Sequence, residues 1–214
     1  VKLWDAATGK ALRAFEGHTN GVGAVAFSRD GARAITGGLD ETVRVWNVAD
    51  GTLVRATEGI DGRINAAGAS PVANLAILGG ESPRLWLWNL DTGEEVPTRA
   101  GHGDGVPCLA ISGDGKRVAS GSFDTTVRTW NAETGAEGKT LAGHGSNVTA
   151  VTLSTDGARA LTSSDDGTVR HWDADAGTEL RTLATDADGV LALAISRDGK
   201  LGAAALAGGT VRVW

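Results

Sequence analysis

The chain has 214 residues, a formal net charge of −6, 32 Gly and a single Cys. This length accommodates one large all-β domain or two small domains, and the acidic balance argues against nucleic acid or an anionic membrane as the main partner. One Cys excludes an internal disulfide framework and favours a reducing compartment, so we expect a cytoplasmic location.

Tryptophan recurs every 42 residues along the whole chain, and only Trp86 falls outside the series. The series is Trp4, Trp46, Trp88, Trp130, Trp172 and Trp214. A Ser column keeps the same period, at Ser28, Ser70, Ser112, Ser154 and Ser196. Repetition at this period is typical of propellers and other repeat architectures. In chain order it predicts a partial unit 1–16, complete units 17–58, 59–100, 101–142 and 143–184, and a partial unit 185–214.

Each complete unit is predicted to contain four strands, as unit 101–142 illustrates. Residues 106–111 are apolar, the tight-turn dipeptide Asp114-Gly115 follows, and 116–121 form a second short run. Residues 126–130 alternate as a third strand, and a more polar strand ends near Leu141. Such a sheet cannot bury both of its faces alone, so neighbouring copies must cover it. Radial stacking of the copies gives an all-β fold, a β-propeller of four-stranded antiparallel blades.

The motifs of these units resemble those of the WD-repeat family. The chain has "GH" before the first strand, "FSRDG" or "LSTDG" at the first hairpin, and "TVRVWN" or "TVRHWD" at the third strand. The resemblance covers essentially the whole chain, which would hold four complete blades and two partial ones. It implies a seven-bladed parent protein.

In that family, a buried tetrad of His, Ser or Thr, Asp and Trp ties each blade together. Three units match the tetrad at all four positions. They are His18, Thr36, Asp40 and Trp46; His102, Ser120, Asp124 and Trp130; and His144, Thr162, Asp166 and Trp172. The His ring can donate to Asp, and the hydroxyl and the indole N–H can extend the network.

Two units depart from the tetrad in a concerted way. Unit 59–100 keeps only the Trp, and unit 185–214 likewise lacks the pattern before its Trp. The residues at the tetrad positions are Ile60, Leu78, Ser82 and Trp88 in the former, and Asp186, Ala204, Gly208 and Trp214 in the latter. We expect apolar packing to hold both blades and their amides to exchange faster, because a half-satisfied polar network is worse than none.

The two ends carry the same third-strand motif, "VKLW" and "VRVW", in the same register. We therefore expect them to belong to different blades of an open arc cut from a longer chain. Such an arc would expose apolar blade faces and self-associate, which light scattering would detect. The excess of Arg over Lys and the abundance of Ala and Gly favour a bacterial source.

No catalytic constellation is visible in the sequence, so we expect neither an enzyme nor a cofactor or metal site. The tetrad His residues lie in different blades, too dispersed to share one metal. His171 occupies a strand position facing a neighbouring blade, and Cys108 aligns with Ala in the other units, which indicates a small buried slot. Arg44, Arg128 and Arg170 recur two residues before Trp and are predicted to pack along it.

The remaining candidate site is the surface around the channel, where the resemblance implies that partner peptides dock. We call it the channel face. Its candidate residues are Leu39, Arg63, Asn65, Glu81, Phe123, Asn147, Thr149 and Asp165. The leading interpretation is a non-catalytic scaffold for protein or peptide, such as the sensor or interaction region of a larger signalling protein. A small-molecule or enzymatic propeller and a structural self-assembly module stay open as alternatives.

Overall fold

The computed structural model describes residues 1–96, 101–184 and 189–214, in which every regular element is a β-strand. Sheet 1 contains β1 (Lys2–Trp4) and β2 (Ala11–Ala14). Sheet 2 contains β3 (Val22–Phe27), β4 (Arg33–Gly38), β5 (Val43–Asn47) and β6 (Leu53–Thr57). Sheet 3 contains β7 (Ile64–Ala69), β8 (Leu75–Gly80), β9 (Trp86–Asn89) and β10 (Glu94–Val96).

The same pattern continues through the second half of the chain. Sheet 4 contains β11 (Cys108–Ile111), β12 (Arg117–Gly121), β13 (Val127–Asn131) and β14 (Glu137–Leu141). Sheet 5 contains β15 (Val148–Leu153), β16 (Arg159–Ser164), β17 (Thr168–Asp173) and β18 (Thr178–Ala184). Sheet 6 contains β19 (Val190–Ile195), β20 (Gly202–Leu206) and β21 (Val211–Val213). All pairings are antiparallel between strands consecutive in the chain, as in a meander.

The first hairpin of most units is fixed by a Ser–Asp pair. In sheet 4, the Ser112 hydroxyl donates to Asp114 at 2.6 Å and accepts the Arg117 N–H at 3.0 Å. Gly115 then adopts φ 69°, a left-handed conformation that glycine enters without steric penalty. In sheet 3, Val72 stands where the other units have Asp, and Ser70 binds only backbone atoms.

Burial falls from the inner strands to the outer strand. In sheet 2, β4 is buried along nearly its whole length, whereas β6 is almost entirely exposed. The fourth strand therefore faces solvent, as predicted from the sequence, although in sheet 2 it includes the exposed Leu53 and Val54. In sheet 4 the inner strand starts at Cys108, two residues later than the apolar run indicated, because Pro107 has no N–H to give to the ladder.

The sheets pack face to face in chain order. Ile35, Val43 and Val45 of sheet 2 share an apolar cluster with Ile64 and Ala76 of sheet 3. At the end of the arc, the matching face of sheet 6 is uncovered: Val211 is 68% exposed, while its counterpart Val43 is 1% exposed. The predicted all-β propeller architecture, with four complete and two partial blades in an unclosed arc, is confirmed. The seven-bladed parent stays a prediction.

No helix that could cross a membrane occurs within the ranges that the structure describes.

Candidate functional site

A line of hydrogen bonds crosses sheet 4 from its third strand to the segment before its first strand. The Trp130 indole N–H donates to Ser120 Oγ at 2.8 Å, and Ser120 Oγ lies 2.7 Å from His102 Nε2. His102 Nδ1 lies 2.9 Å from the Asp124 carboxylate. A ring that donates from Nδ1 to the carboxylate and accepts the hydroxyl at Nε2 satisfies every group in the line. The four side chains form one network that ties the strands together.

Sheets 2 and 5 contain the same network. In sheet 2 the indole–hydroxyl, hydroxyl–imidazole and imidazole–carboxylate distances are 2.9, 2.7 and 3.0 Å. In sheet 5 the corresponding distances are 2.8, 2.8 and 2.9 Å. The residues involved are His18, Thr36, Asp40 and Trp46, and His144, Thr162, Asp166 and Trp172.

A fifth side chain belongs to each network, and the sequence reasoning missed it. Thr126 Oγ1 donates to the Asp124 carboxylate at 2.6 Å and lies 3.3 Å from His102 Nδ1. Thr42 and Thr168 make the same contacts in sheets 2 and 5. The signal is present in the sequence, because Thr42, Thr126 and Thr168 recur at multiples of the 42-residue period, and Arg84 takes this position in sheet 3.

The networks favour charged carboxylates, and those of sheets 4 and 5 also favour neutral imidazoles. Burial alone would raise the pKa of Asp124, but the hydroxyl of Thr126 and the N–H groups of Gly103 and Thr126 outweigh it and lower the pKa to about 2. Asp40 behaves alike, with a pKa of about 2, and the pKa of Asp166 is also lowered. Desolvation lowers the pKa of His102, against the opposing effect of the Asp124 charge.

Sheet 3 replaces the network with an apolar cluster. Ile60, Leu78 and Trp88 are buried at 6%, 0% and 2% exposure, and Trp86 packs in the same cluster at 4%. The Trp88 indole N–H is buried and finds no hydrogen-bond partner among the described residues. Trp86 therefore fills the interior and is not available as an exposed contact. Ser82, at the Asp position, accepts only the Arg84 N–H, at 3.3 Å.

Arginine side chains near the outer strand show a related exchange. Arg128 and Arg170 pair with Glu137 and Glu179 of the fourth strand. In sheet 3, Trp86 takes the Arg position, and Arg84, which precedes β9, pairs with Glu95 instead.

In sheet 6 the three described tetrad positions carry two apolar residues and a glycine. Ala204 is 1% exposed, Gly208 is exposed and Trp214 is half-buried. Asp186 lies outside the described residues.

The channel face is supported by a backbone hydrogen bond that repeats in five sheets. The residue before the tetrad Asp position donates its N–H to a carbonyl at the start of the inner strand. The donor–acceptor pairs are Leu39–Gly21 (2.7 Å), Glu81–Arg63 (3.0 Å), Phe123–Gly105 (3.0 Å), Asp165–Asn147 (3.0 Å) and Ala207–Gly189 (2.9 Å). The backbone hydrogen bond is the same in all five sheets, whereas the side chain of the donor residue differs in every one.

Two of these side chains are large and apolar. Phe123 is 40% exposed and leans over Gly105, where a methyl group on the α-carbon would lie only 3.2 Å from the ring. Leu39 is half-buried and covers Gly21 in the same way, at 3.1 Å. The glycines leave room for both side chains to lie flat at the rim.

The polar candidates of the channel face are engaged with each other. Arg63 lies 3.6 Å from Glu81, and Asn147 donates to Asp165 at 3.2 Å. Thr149 binds the buried Ser163 hydroxyl at 3.0 Å, and so points into the sheet. Asn65 is exposed beside Gly23 of the preceding sheet. The face thus presents Phe123 and Leu39 on either side of a paired Arg63 and Glu81.

Cys108 and the metal-binding residue types were the remaining candidates for reactive groups. Cys108 sits between the carbonyls of Gly121 and Val148, and burial raises the pKa of its thiol to about 12. Such a thiol stays protonated and is a poor nucleophile. Within the described ranges, no three His, Cys, Asp or Glu side chains are grouped to hold a metal ion.

Comparison with known proteins agrees with the repeat geometry. A family model described as "WD domain, G-beta repeat" matches residues 9–47, 93–131, 135–173 and 177–214, which together exceed half of the chain. A segment of 44 residues is 46% identical to Protein groucho of Drosophila melanogaster, covering 21% of this chain and 6% of that protein. WD-repeat proteins are generally scaffolds for protein interaction. The four matched repeats and the polar networks of sheets 2, 4 and 5 place this chain in the WD-repeat family.

Proposed function

We propose that this chain is a non-catalytic scaffold that binds a protein or peptide on its channel face, with Phe123 and Leu39 as the apolar anchors. We further propose that it serves as the sensor or interaction region of a larger, cytoplasmic signalling protein of bacterial origin. Family membership supports the general role, and the geometry of the channel face supports its location.

One observation carries the proposal. The Phe123 N–H makes the backbone hydrogen bond that four other sheets repeat, yet the residue is 40% exposed on the face that also carries the Arg63–Glu81 pair. Large aromatic side chains in rigid settings are typical binding hot spots, because they bury much apolar area at small entropic expense. The neighbouring charged pair supplies polar contacts at the rim.

Binding of selected peptides tests this proposal. Peptides are selected from a displayed library against the wild-type chain, and their Kd is measured by calorimetry for Phe123→Ala and Leu39→Ala. We expect the Phe123 variant to bind about tenfold more weakly or worse, as at a hot spot. Val72→Ala is the matched control, since Val72 is an exposed apolar residue (48%) at the hairpin on the opposite end of sheet 3. Equal affinity for both alanine variants and wild type would rule out the anchors.

Exposed end faces favour self-association as a second candidate function. Val25 and Phe27 of β3 are 53% and 47% exposed, and Val211 and Val213 of β21 are 68% and 66% exposed. Their counterparts in the interior pack sheet against sheet, so the two faces are complementary. We propose that the 214-residue chain associates through them. Light scattering should show a concentration-dependent mass that Val211→Asp abolishes, and a monomer at all concentrations would contradict this.

A further inference from the structure

A cleft of about 340 Å³ separates sheet 5 from sheet 6 on the side away from the channel face. Its floor is apolar, formed by Leu161, Leu183 and Ile195, and Leu180 and Leu201 stand at its mouth. These last two side chains are 49% and 58% exposed. The volume lies at the lower end of the roughly 300–1,000 Å³ typical of small-molecule sites.

The polar side chains of this cleft are basic, and they have few hydrogen-bond or ion-pair partners among the described residues. His171, Arg181 and Lys200 line it. His171 Nε2 is buried and has no hydrogen-bond partner among the described residues. No described acidic group forms an ion pair with Arg181, and Lys200 has only the exposed Asp198, 3.9 Å away.

The neighbouring cleft between sheets 4 and 5 provides a contrast at the same position in the repeat. Its volume is about 430 Å³, and side chains of both signs line it, among them the acids Glu137 and Asp156 and the cations Arg117 and Lys139. Thr129 takes the place of His171 there and is satisfied, because it accepts the Lys139 N–H at 2.7 Å and donates to the Lys139 carbonyl. The unsatisfied ring nitrogen of His171 therefore distinguishes the cleft between sheets 5 and 6.

We propose that the cleft between sheets 5 and 6 binds a small apolar carboxylate. The aliphatic or aromatic body would pack on Leu161, Leu183 and Ile195, and the carboxylate would accept hydrogen bonds from His171 Nε2 and Arg181. A carboxylate completes a donor that is otherwise buried without a partner, which removes a desolvation penalty. The charge-assisted bond to Arg181 adds attraction in a partly enclosed site.

The titration of His171 gives this binding a pH dependence. The charged groups that face the ring are Arg159 of β16, Arg181 of β18 and Lys200 ahead of β20. Burial lowers the pKa of His171, and the positive charges of Arg159 and Arg181 lower it further. Arg159 is already paired with Asp173 at 2.9 Å. A bound carboxylate favours the protonated ring, so it raises the pKa of His171, and affinity increases as pH falls.

Octanoate titration followed by two-dimensional NMR tests the proposal on the 214-residue chain. We expect saturable shift changes at the amides of Arg181, Lys200 and Leu201, and an upward shift of the His171 pKa. Arg181→Glu should weaken binding about fivefold to tenfold, as for loss of a partly exposed ion pair. Lys139→Glu, the counterpart of Arg181→Glu in the cleft between sheets 4 and 5, is the matched control and should leave affinity unchanged within about twofold.

Neutral octanamide separates the carboxylate from the apolar body. The site is supported if octanamide binds more weakly than octanoate and if Arg181→Glu, but not Lys139→Glu, weakens octanoate binding. Equal binding of the two compounds, equal effects of the two charge reversals, or the absence of saturable shifts in the cleft would overturn it. His171→Thr, which installs the residue found at position 129, should remove the pH dependence while the fold is retained.

Discussion

Sheets 3 and 4 are neighbours of the same design that are stabilised by different means. In sheet 4, Ser120 joins Trp130 to His102 through hydrogen bonds, while in sheet 3 Leu78 and Ile60 pack around Trp88. Both arrangements support four antiparallel strands. The comparison shows that this polar network is not needed to build the sheet, and that in sheet 3 three of its members are replaced together.

The exchange leaves one flaw. Trp88 still buries its N–H with no acceptor among the described residues, a defect that costs about 1–3 kcal/mol. The added burial of Leu78 and Trp86 opposes this penalty, since full burial of a Leu side chain contributes roughly 1.5–3 kcal/mol. Compared with sheet 4, sheet 3 has more buried apolar contact but leaves one buried polar group without a hydrogen bond.

Replacing a single tetrad residue of sheet 4 with its counterpart from sheet 3 should destabilise the protein. Ser120→Leu alone leaves Trp130 and His102 without their shared partner and inserts extra volume, so we expect a loss of about 3 kcal/mol in the free energy of unfolding. The triple variant His102→Ile, Ser120→Leu, Asp124→Ser should lose less than the single variant by about 1 kcal/mol or more, because it removes the stranded His102 and leaves only the Trp130 N–H without a partner, as for Trp88 in sheet 3. Urea unfolding measures both.

Ser120→Thr serves as the control for this experiment. It keeps the hydroxyl, as Thr36 and Thr162 do in sheets 2 and 5, and should change stability by less than about 1 kcal/mol. A triple variant less stable than Ser120→Leu would contradict the need for concerted exchange.

A matched pair of tryptophan substitutions should have different effects on stability in sheets 3 and 4. Trp130→Phe removes a made hydrogen bond, while Trp88→Phe removes an unsatisfied N–H and loses similar apolar area. We expect Trp130→Phe to be more destabilising by about 1–2 kcal/mol. Equal losses in thermal or urea unfolding would show that the Trp88 N–H is satisfied in solution.

Hydrogen exchange tests whether the sheets differ in local stability. We expect the amides of β8 to exchange roughly tenfold faster than those of β12, which corresponds to the orphaned N–H in sheet 3. Equal protection of the two strands would mean that apolar packing fully replaces the network.

Acid should weaken sheet 4 and not sheet 3. The pKa values of His102 and His144 are lowered in the folded chain, so the unfolded chain binds more protons below about pH 6.5 and stability falls as pH drops through that value. A second loss follows as pH falls from about 4 toward 2, because the pKa of Asp40 and Asp124 is lowered to about 2.

The triple variant of sheet 4 provides the comparison for this effect. It removes His102 and should lose less stability than the wild type between about pH 7.5 and pH 5.5, by a few tenths of a kcal/mol to about 1. If the free energy of unfolding depends on pH identically in the two proteins, the acid sensitivity comes from groups other than the network of sheet 4.

The regular parts of this molecule could be predicted because each repeat supplies the same residue at the same place. A Trp every 42 residues and the Asp-Gly turns predict strand positions, and the resemblance identifies the residues of the three networks. Thr126 was missed although its column is visible, since the tetrad of the family has only four positions. The Arg84–Glu95 pair was not predictable, because it depends on space opened by other substitutions in sheet 3.

The channel face was harder for the same physical reason. Its side chains vary from sheet to sheet, so no column indicates how far Phe123 or Leu39 protrudes. Exposure there depends on Gly105 and Gly21, whose lack of a side chain lets the larger residue lie across the strand.

The repeated backbone bond behind Phe123 has a consequence for how this surface can change. The bond joins an N–H to a carbonyl, so it places no demand on the side chain, and any residue except proline can occupy the donor position. Substitutions at residues 39, 81, 123, 165 and 207 should therefore be nearly independent of folding and of one another. Ligand preference can therefore change by single substitutions at these five positions, in any combination, without compensating substitutions in the strands that support them.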